Sequence, residues 1–187
     1  MTRLGTALAA AVALLSVTAC TGEEPADGDP TSAPPTTASA SPSPTPSAPT
    51  IPPEATKHSA DGAAAFVKYW NEVFNYTVTT LDTRHLDALS APDCDACGEM
   101  IGFVDRVRVG GGYSESPRYR TLVTSSQLID GAFMVAAEHT SSDYRYRESA
   151  DSKEMLVRAA KYRYLYELGW NGRGWSLDGI RKQESAS

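Results

Sequence analysis

The chain has 187 residues and a formal net charge of −6 at pH 7, and this length suits one folded domain. From Lys57 onward, 18 acidic side chains stand against 16 basic ones, so the part that can fold is nearly neutral. The basic residues form no patch or stripe, which argues against nucleic acid as a partner.

Residues 1–19 have the layout of a signal peptide, in which Arg3 precedes an apolar run that is too short to span a bilayer. The run ends in Val17-Thr18-Ala19-Cys20, which resembles the bacterial lipobox. The resemblance implies that Cys20 becomes the first mature residue and carries acyl chains such as palmitate, which anchor the protein to the outer face of the cell membrane. The alternative is an ordinary secretory signal that is cut after Ala19.

Residues 20–56 contain ten of the twelve prolines and no aromatic residue. A segment of this composition buries too little apolar surface to offset the entropy of ordering the chain. We therefore expect a disordered Pro/Ser/Thr/Ala-rich tether, either plain or glycosylated, that holds the folded domain 57–187 away from the membrane.

Three helices are predicted next. Ser59 or Asp61 can cap a helix that begins near Gly62. Apolar side chains recur along it at three- and four-residue spacing. The stripe comprises Phe66, Tyr69, Trp70, Val73, Phe74, Thr77 and Leu81, and the polar face comprises Lys68, Asn71, Glu72 and Asn75. Further helices are expected over Thr83–Ser90 and Asp95–Val109, followed by a mobile loop at Gly110-Gly111-Gly112.

After Tyr113 the hydrophobic period changes from 3.6 to 2, which is typical of strands. Asp130-Gly131 predicts a tight hairpin turn. Strands are expected over Tyr119–Ile129, Ala132–Thr140, Asp143–Glu148 and Lys161–Leu168, with a last one from Trp175. Because helices and strands are segregated, the predicted class is α+β, with three N-terminal helices packed on a curved antiparallel sheet.

This order of elements resembles the NTF2-like, or cystatin-like, cone fold. More closely, Gly62–Trp70, Asn75-Tyr76, Cys94-Asp95-Ala96-Cys97 and Gly110-Gly111-Gly112 resemble an uncharacterised group of actinobacterial lipoproteins, domain of unknown function 6318. The resemblance implies the fold and agrees with the lipid anchor, and it supplies no activity.

Cys94 and Cys97 are expected to form a disulfide, because an exported protein lies in an oxidising compartment. Two roles remain open for it. One is a structural clip between the second and third helices, and the other is thiol–disulfide exchange. The clip is favoured, because redox pairs of this spacing follow a strand in a βαβ unit.

The histidines His58, His85 and His139 have no metal-binding spacing, so neither a metal nor a cofactor is predicted. Asp105, Glu138 and His139 are the side chains available for acid–base chemistry in a cone, although solvated charges and packing account for them more simply. We name no catalytic residue. Several aromatics of the first helix and the sheet, Tyr69, Trp70, Phe74, Tyr162, Tyr164, Tyr166 and Trp175, are candidates to line a pocket.

The function expected from the sequence is a non-catalytic binding module of the cell envelope, with an unknown protein or small-molecule ligand and the membrane as partners. The alternatives are an envelope enzyme of the hydrolase or isomerase type, and a thiol-redox factor.

Overall fold

The computed structural model describes residues 46–183. The predicted signal peptide, Cys20 and most of the predicted tether lie outside these residues. The part described has the predicted α+β class, with three helices followed by two antiparallel sheets. None of its helices is both long enough and apolar enough to cross a membrane.

The helices are α1 (Ala60–Thr80), α2 (Arg84–Asp87) and α3 (Asp95–Val109). Ser59 is the N-cap of α1, and its Oγ accepts a hydrogen bond from the Gly62 amide at 3.1 Å. The helix therefore starts two residues before the expected position. It ends at Thr80, and its C-cap Leu81 adopts the left-handed conformation with φ 59°. The second helix is a single turn, shorter than the expected Thr83–Ser90.

The strands are β1 (Gly111–Ser114), β2 (Arg120–Ile129), β3 (Ala132–Thr140), β4 (Tyr144–Ser149), β5 (Met155–Val157), β6 (Lys161–Trp170) and β7 (Trp175–Lys182). Strands β2, β3, β6 and β7 form a four-stranded antiparallel sheet in the order β2-β3-β6-β7. Strands β1, β4 and β5 form a second sheet in the order β1-β4-β5. The predicted turn at Asp130-Gly131 is confirmed, since both residues have positive φ, as a type I′ hairpin turn requires.

The core lies between α1 and one face of the four-stranded sheet, which we call the inner face. Helix α1 contributes Phe66 and Trp70 to it, and the sheet contributes Val135, Tyr166 and Leu168. The alternation of buried and exposed residues along β3 follows from the period of two in a strand. The helix stripe and the inner face thus cover each other, as the two patterns predict.

Three further expectations were wrong. Residues Pro53–Thr56, which were assigned to the tether, form a 3₁₀ helix, and Ala55 within it is completely buried in the core. Gly111 and Gly112 lie in strand β1 and not in a loop, because a chain without a Cβ can approach β4 closely there. Strand β5 was not predicted, since three residues carry too little periodic signal.

Candidate functional site

A cavity of about 220 Å³ lies between α1, α3 and the inner face of the four-stranded sheet. Its lining consists of Trp70, Asn71, Phe74, Met100, Tyr119, His139, Tyr164, Tyr166 and Ile180. Most of these side chains are aromatic or aliphatic, and a few polar groups converge among them. Such a mixture is typical of small-molecule sites.

Local structure explains how the lining residues meet. Trp70 and Phe74 are four residues apart on α1 and therefore lie on one face of the helix. Their rings are nearly parallel, with centroids 5.8 Å apart. Asn75 holds the backbone of Tyr119 by two hydrogen bonds, donating to its carbonyl and accepting from its amide, each at 3.0 Å. This clamp places the Tyr119 ring 5.6 Å from that of Phe74.

One wall of the cavity is a chain of buried hydrogen bonds. Asn71 donates its side-chain amide to the Val67 carbonyl at 2.8 Å and to the Tyr166 hydroxyl at 3.4 Å. The Tyr166 hydroxyl lies 2.8 Å from His139 Nε2, and Thr121 Oγ1 lies 3.1 Å from His139 Nδ1. The chain ties α1 to three strands of the sheet, and it satisfies polar groups that would be costly if left unpaired.

The direction of these bonds follows from the donors available. Because Tyr166 accepts from Asn71, its hydroxyl proton is free to go to His139 Nε2. The imidazole then keeps its proton on Nδ1 and donates it to Thr121. His139 is 2% exposed, and burial lowers its pKa to about 4, so the ring is neutral at pH 7. Burial likewise raises the pKa of Tyr166 well above its usual range.

Only one of the three candidate acid–base residues faces the cavity. His139 does, whereas Glu138 lies on the opposite face of the sheet and pairs with Arg163 at 2.8 Å. Asp105 is on α3, where it pairs with Arg108 at 2.9 Å. The remaining two histidines, His58 and His85, are exposed. No group of side chains within residues 46–183 is arranged to hold a metal ion.

The predicted disulfide joins Cys94 to Cys97 at the start of α3. Both residues are buried, with exposures of 3% and 1%. Cys97 Sγ lies 3.9 Å from the Leu177 carbonyl oxygen of β7, and the Ala91 amide donates to the same oxygen at 2.9 Å. The bridge thus lies where the loop before α3 packs against the edge strand β7, away from the cavity lining.

Sequence reasoning missed the roles of Asn71 and Tyr119. Asn71 was placed on the polar face of α1, but it is 5% exposed and hydrogen-bonded to the sheet. The available signal was its position between Trp70 and the buried Val73, near the edge of the apolar stripe. The alternation predicts Tyr119 as the first residue of a strand, whereas β2 begins at Arg120, and nothing in the sequence links Tyr119 to Phe74.

The fold and the cavity together define a small α+β domain with an open cavity between its helices and a four-stranded antiparallel sheet. A profile of the family described as "Family of unknown function (DUF6318)" matches residues 34–181, and the chain belongs to that family. No curated protein matches its sequence.

Two solved structures match parts of this chain, one of them with a similar fold. The intermembrane space region of the chloroplast protein ARC6 has a TM-score of 0.55 at 15% identity, covering 69% of this chain and 99% of that one. A putative calcium/calmodulin dependent protein kinase II association domain from Xanthomonas campestris has a TM-score of 0.37 at 14% identity, covering 67% and 87%. The first similarity concerns the fold alone, and the second carries no argument.

Proposed function

We propose that this protein is a lipid-anchored binding module of the cell envelope, and that the cavity beneath α1 holds a small-molecule ligand. The observation that carries the proposal is the lining of the cavity, in which aromatic and aliphatic side chains surround the convergent polar groups of Asn71, His139 and Tyr166. Apolar walls supply most of the affinity in such sites, while a few fixed polar groups orient the ligand.

The size of the cavity bears on the kind of ligand. About 220 Å³ corresponds to the space of roughly seven water molecules at about 30 Å³ each. This is below the range of about 300–1,000 Å³ that drug-sized ligands occupy. The cavity therefore suits a small molecule.

The state of His139 favours binding over acid–base chemistry. Both ring nitrogens are already engaged, one with Tyr166 and the other with Thr121. A general base needs a nitrogen lone pair directed at the substrate. Here the imidazole serves as a neutral and fixed part of the wall.

The proposal is tested by extraction of the bound compound. The full chain is purified from the cells that make it, alongside the cavity-filling variants Met100→Trp and Ile180→Phe. Solvent extracts are then compared by mass spectrometry. We expect a compound that accompanies the natural chain and is at least tenfold depleted in both filled variants.

A matched control is Glu72→Gln, which changes an exposed residue of α1 next to the cavity-lining Asn71. It should retain the compound at the natural level. If nothing accompanies the natural chain, or if the filled variants retain the compound, the cavity is not the binding site. Thermal unfolding of each variant shows whether it is folded.

The anchor is a separate part of the proposal and rests on the sequence Val17-Thr18-Ala19-Cys20. Two acyl chains on Cys20 would hold the protein at the membrane, whereas a single chain binds only marginally. The natural chain should therefore fractionate with membranes, and Cys20→Ala should be released. A natural chain found free in the medium with an unacylated amino terminus would contradict the anchor.

A further inference from the structure

The ligand class can be narrowed from the cavity wall, on the assumption that the cavity is a binding site as proposed above. None of the nine lining side chains carries a charge at neutral pH. His139 is the lining residue whose ordinary pKa lies closest to neutrality, and its burial keeps it neutral. A charged ligand would lose part of its hydration without gaining an opposite charge, which is strongly unfavourable. The cavity therefore selects against ions.

The apolar part of the wall suits a flat ring. The rings of Trp70 and Phe74 lie 4° from parallel, and the Tyr119 ring is tilted by 38° to that of Phe74. Met100 and Ile180 supply aliphatic contacts from α3 and β7. Aromatic rings and their neighbours gain additional stabilisation in stacked or edge-on contacts, beyond the area that they bury.

Within the chain of hydrogen bonds formed by Asn71, Tyr166 and His139, the side-chain oxygen of Asn71 has no partner. The side-chain nitrogen of Asn71 must face the Val67 carbonyl, because a carbonyl can only accept. Nδ1 and Nε2 of His139 and the hydroxyl proton of Tyr166 are used within the chain of hydrogen bonds. Among the hydrogen bonds of residues 46–183, none uses Asn71 Oδ1. A side chain that is 5% exposed thus keeps an acceptor that a ligand can satisfy.

We propose that the cavity binds a small, uncharged ring compound that donates a hydrogen bond, through a hydroxyl or N–H group, to Asn71 Oδ1. The ring lies against Trp70 and Phe74, and the donor group points to the polar wall. A molecule of the same shape without the donor would not form this hydrogen bond to Asn71 Oδ1.

The test uses four probes of one ring size with the full chain, by isothermal titration calorimetry at pH 7. p-Cresol is neutral and has a donor, toluene lacks the hydroxyl, 4-methylanisole has the oxygen without its hydrogen, and 4-methylbenzoate is charged. We expect p-cresol to bind about tenfold more tightly than toluene and 4-methylanisole, as one added neutral hydrogen bond allows. 4-Methylbenzoate should bind at least a hundredfold more weakly than p-cresol.

The variant Asn71→Leu should reduce the preference for p-cresol over toluene to about one, while toluene still binds. The control Glu72→Gln should keep the full preference. Because Asn71→Leu also removes two hydrogen bonds to the protein, the comparison of p-cresol with 4-methylanisole on the natural chain tests the same point without a mutation.

Each other outcome overturns the inference in a distinguishable way. Equal affinity for p-cresol, toluene and 4-methylanisole would show that no donor is recognised, and tight binding of 4-methylbenzoate would show that the site accepts charge. Both results leave the proposed cavity in place. If no probe binds while extraction still yields a compound, the ligand class is wrong and the cavity is right. If no probe binds and nothing is extracted, both proposals fail.

Discussion

At the scale of single residues, His139 is the titratable side chain whose burial has the clearest consequence. It lies in the wall of the cavity, and both of its ring nitrogens are hydrogen-bonded to hydroxyl groups, Nε2 to Tyr166 and Nδ1 to Thr121. In the unfolded chain, the same imidazole has a pKa of about 6.5. The folded protein therefore binds fewer protons than the unfolded chain does between roughly pH 6.5 and pH 4.

The first prediction follows from that difference. The contribution of His139 to stability is greatest above about pH 6.5. It falls below that pH because the unfolded chain takes up a proton that the folded protein does not. The fall ends below about pH 4, where the folded protein is protonated as well. Between pH 7 and pH 5 we expect a loss of about 2 kcal/mol in the free energy of unfolding. Urea denaturation at several pH values measures it.

His139→Gln keeps a polar side chain at the same place but does not titrate, so most of the loss between pH 7 and pH 5 should disappear. His85→Gln makes the same substitution at an exposed position and is the matched control. If His139→Gln retained the full slope, other groups would be responsible for it.

At the scale of elements, the close pairing of β1 with β4 depends on Gly112. A Cβ at this position would stand 2.0 Å from the Arg147 carbonyl oxygen, far inside van der Waals contact. The predicted loop of three glycines is thus a site of close backbone approach, which is one of the reasons for glycine in a strand. The pairing with β1 also positions β4, in which the ring centroid of Tyr146 lies 5.5 Å from that of Phe103 on α3.

The second prediction is that Gly112→Ala lowers the free energy of unfolding by about 2 kcal/mol or more, since neither backbone can move away without breaking the pair. The matched control is Gly98→Ala in α3, where nothing lies within 4 Å of the added Cβ. That change should stabilise the protein by about 0.5–1 kcal/mol, because alanine is the better helix former. Chemical denaturation measures the change in the free energy of unfolding for each variant. Equal effects would contradict the steric argument.

The disulfide at the start of α3 gives the third prediction. Its closed loop is very short, so reduction should cost only about 2 kcal/mol by the chain-entropy estimate. Both sulfurs are buried, so we expect a reduction potential below that of thioredoxin, about −270 mV. Cys94→Ala/Cys97→Ala should show the stability of the reduced natural chain and no further response to reductant. A potential well above that of thioredoxin would instead favour thiol exchange.

At the scale of the whole molecule, the sequence predicted the elements whose signal is periodic. The stripe of α1 and the hairpin at Asp130-Gly131 were predictable because a long repeat and a specific turn leave little choice. The cavity was not predictable in the same way. His139 and Asn71 are polar residues whose partners are 27 and 95 positions away, so only the packed fold brings these hydrogen bonds together.

The amino-terminal boundary of the folded domain was also not predictable from composition. Proline-rich sequence continues through Pro53, yet the Pro53–Thr56 turn packs against α1 and buries Ala55 completely. The Tyr69 hydroxyl also reaches the Pro49 carbonyl at 3.5 Å. Proline suits the first turn of a short helix, because the missing amide hydrogen is not needed there. A proline-rich composition therefore indicates a segment with few core residues, but it does not show at which residue the core begins.

The fourth prediction tests this boundary in the full chain. Ala55→Asp would place a carboxylate in a completely buried position, and we expect it to lower the free energy of unfolding by at least about 3 kcal/mol. Ala88→Asp introduces the same charge at an exposed position after α2 and should change stability by no more than about 0.5 kcal/mol. Denaturant titration measures the free energy of unfolding of both variants. If Ala55→Asp were as harmless as Ala88→Asp, residues up to Thr56 would belong to the tether after all, because a side chain in a solvated spacer has no core to disrupt.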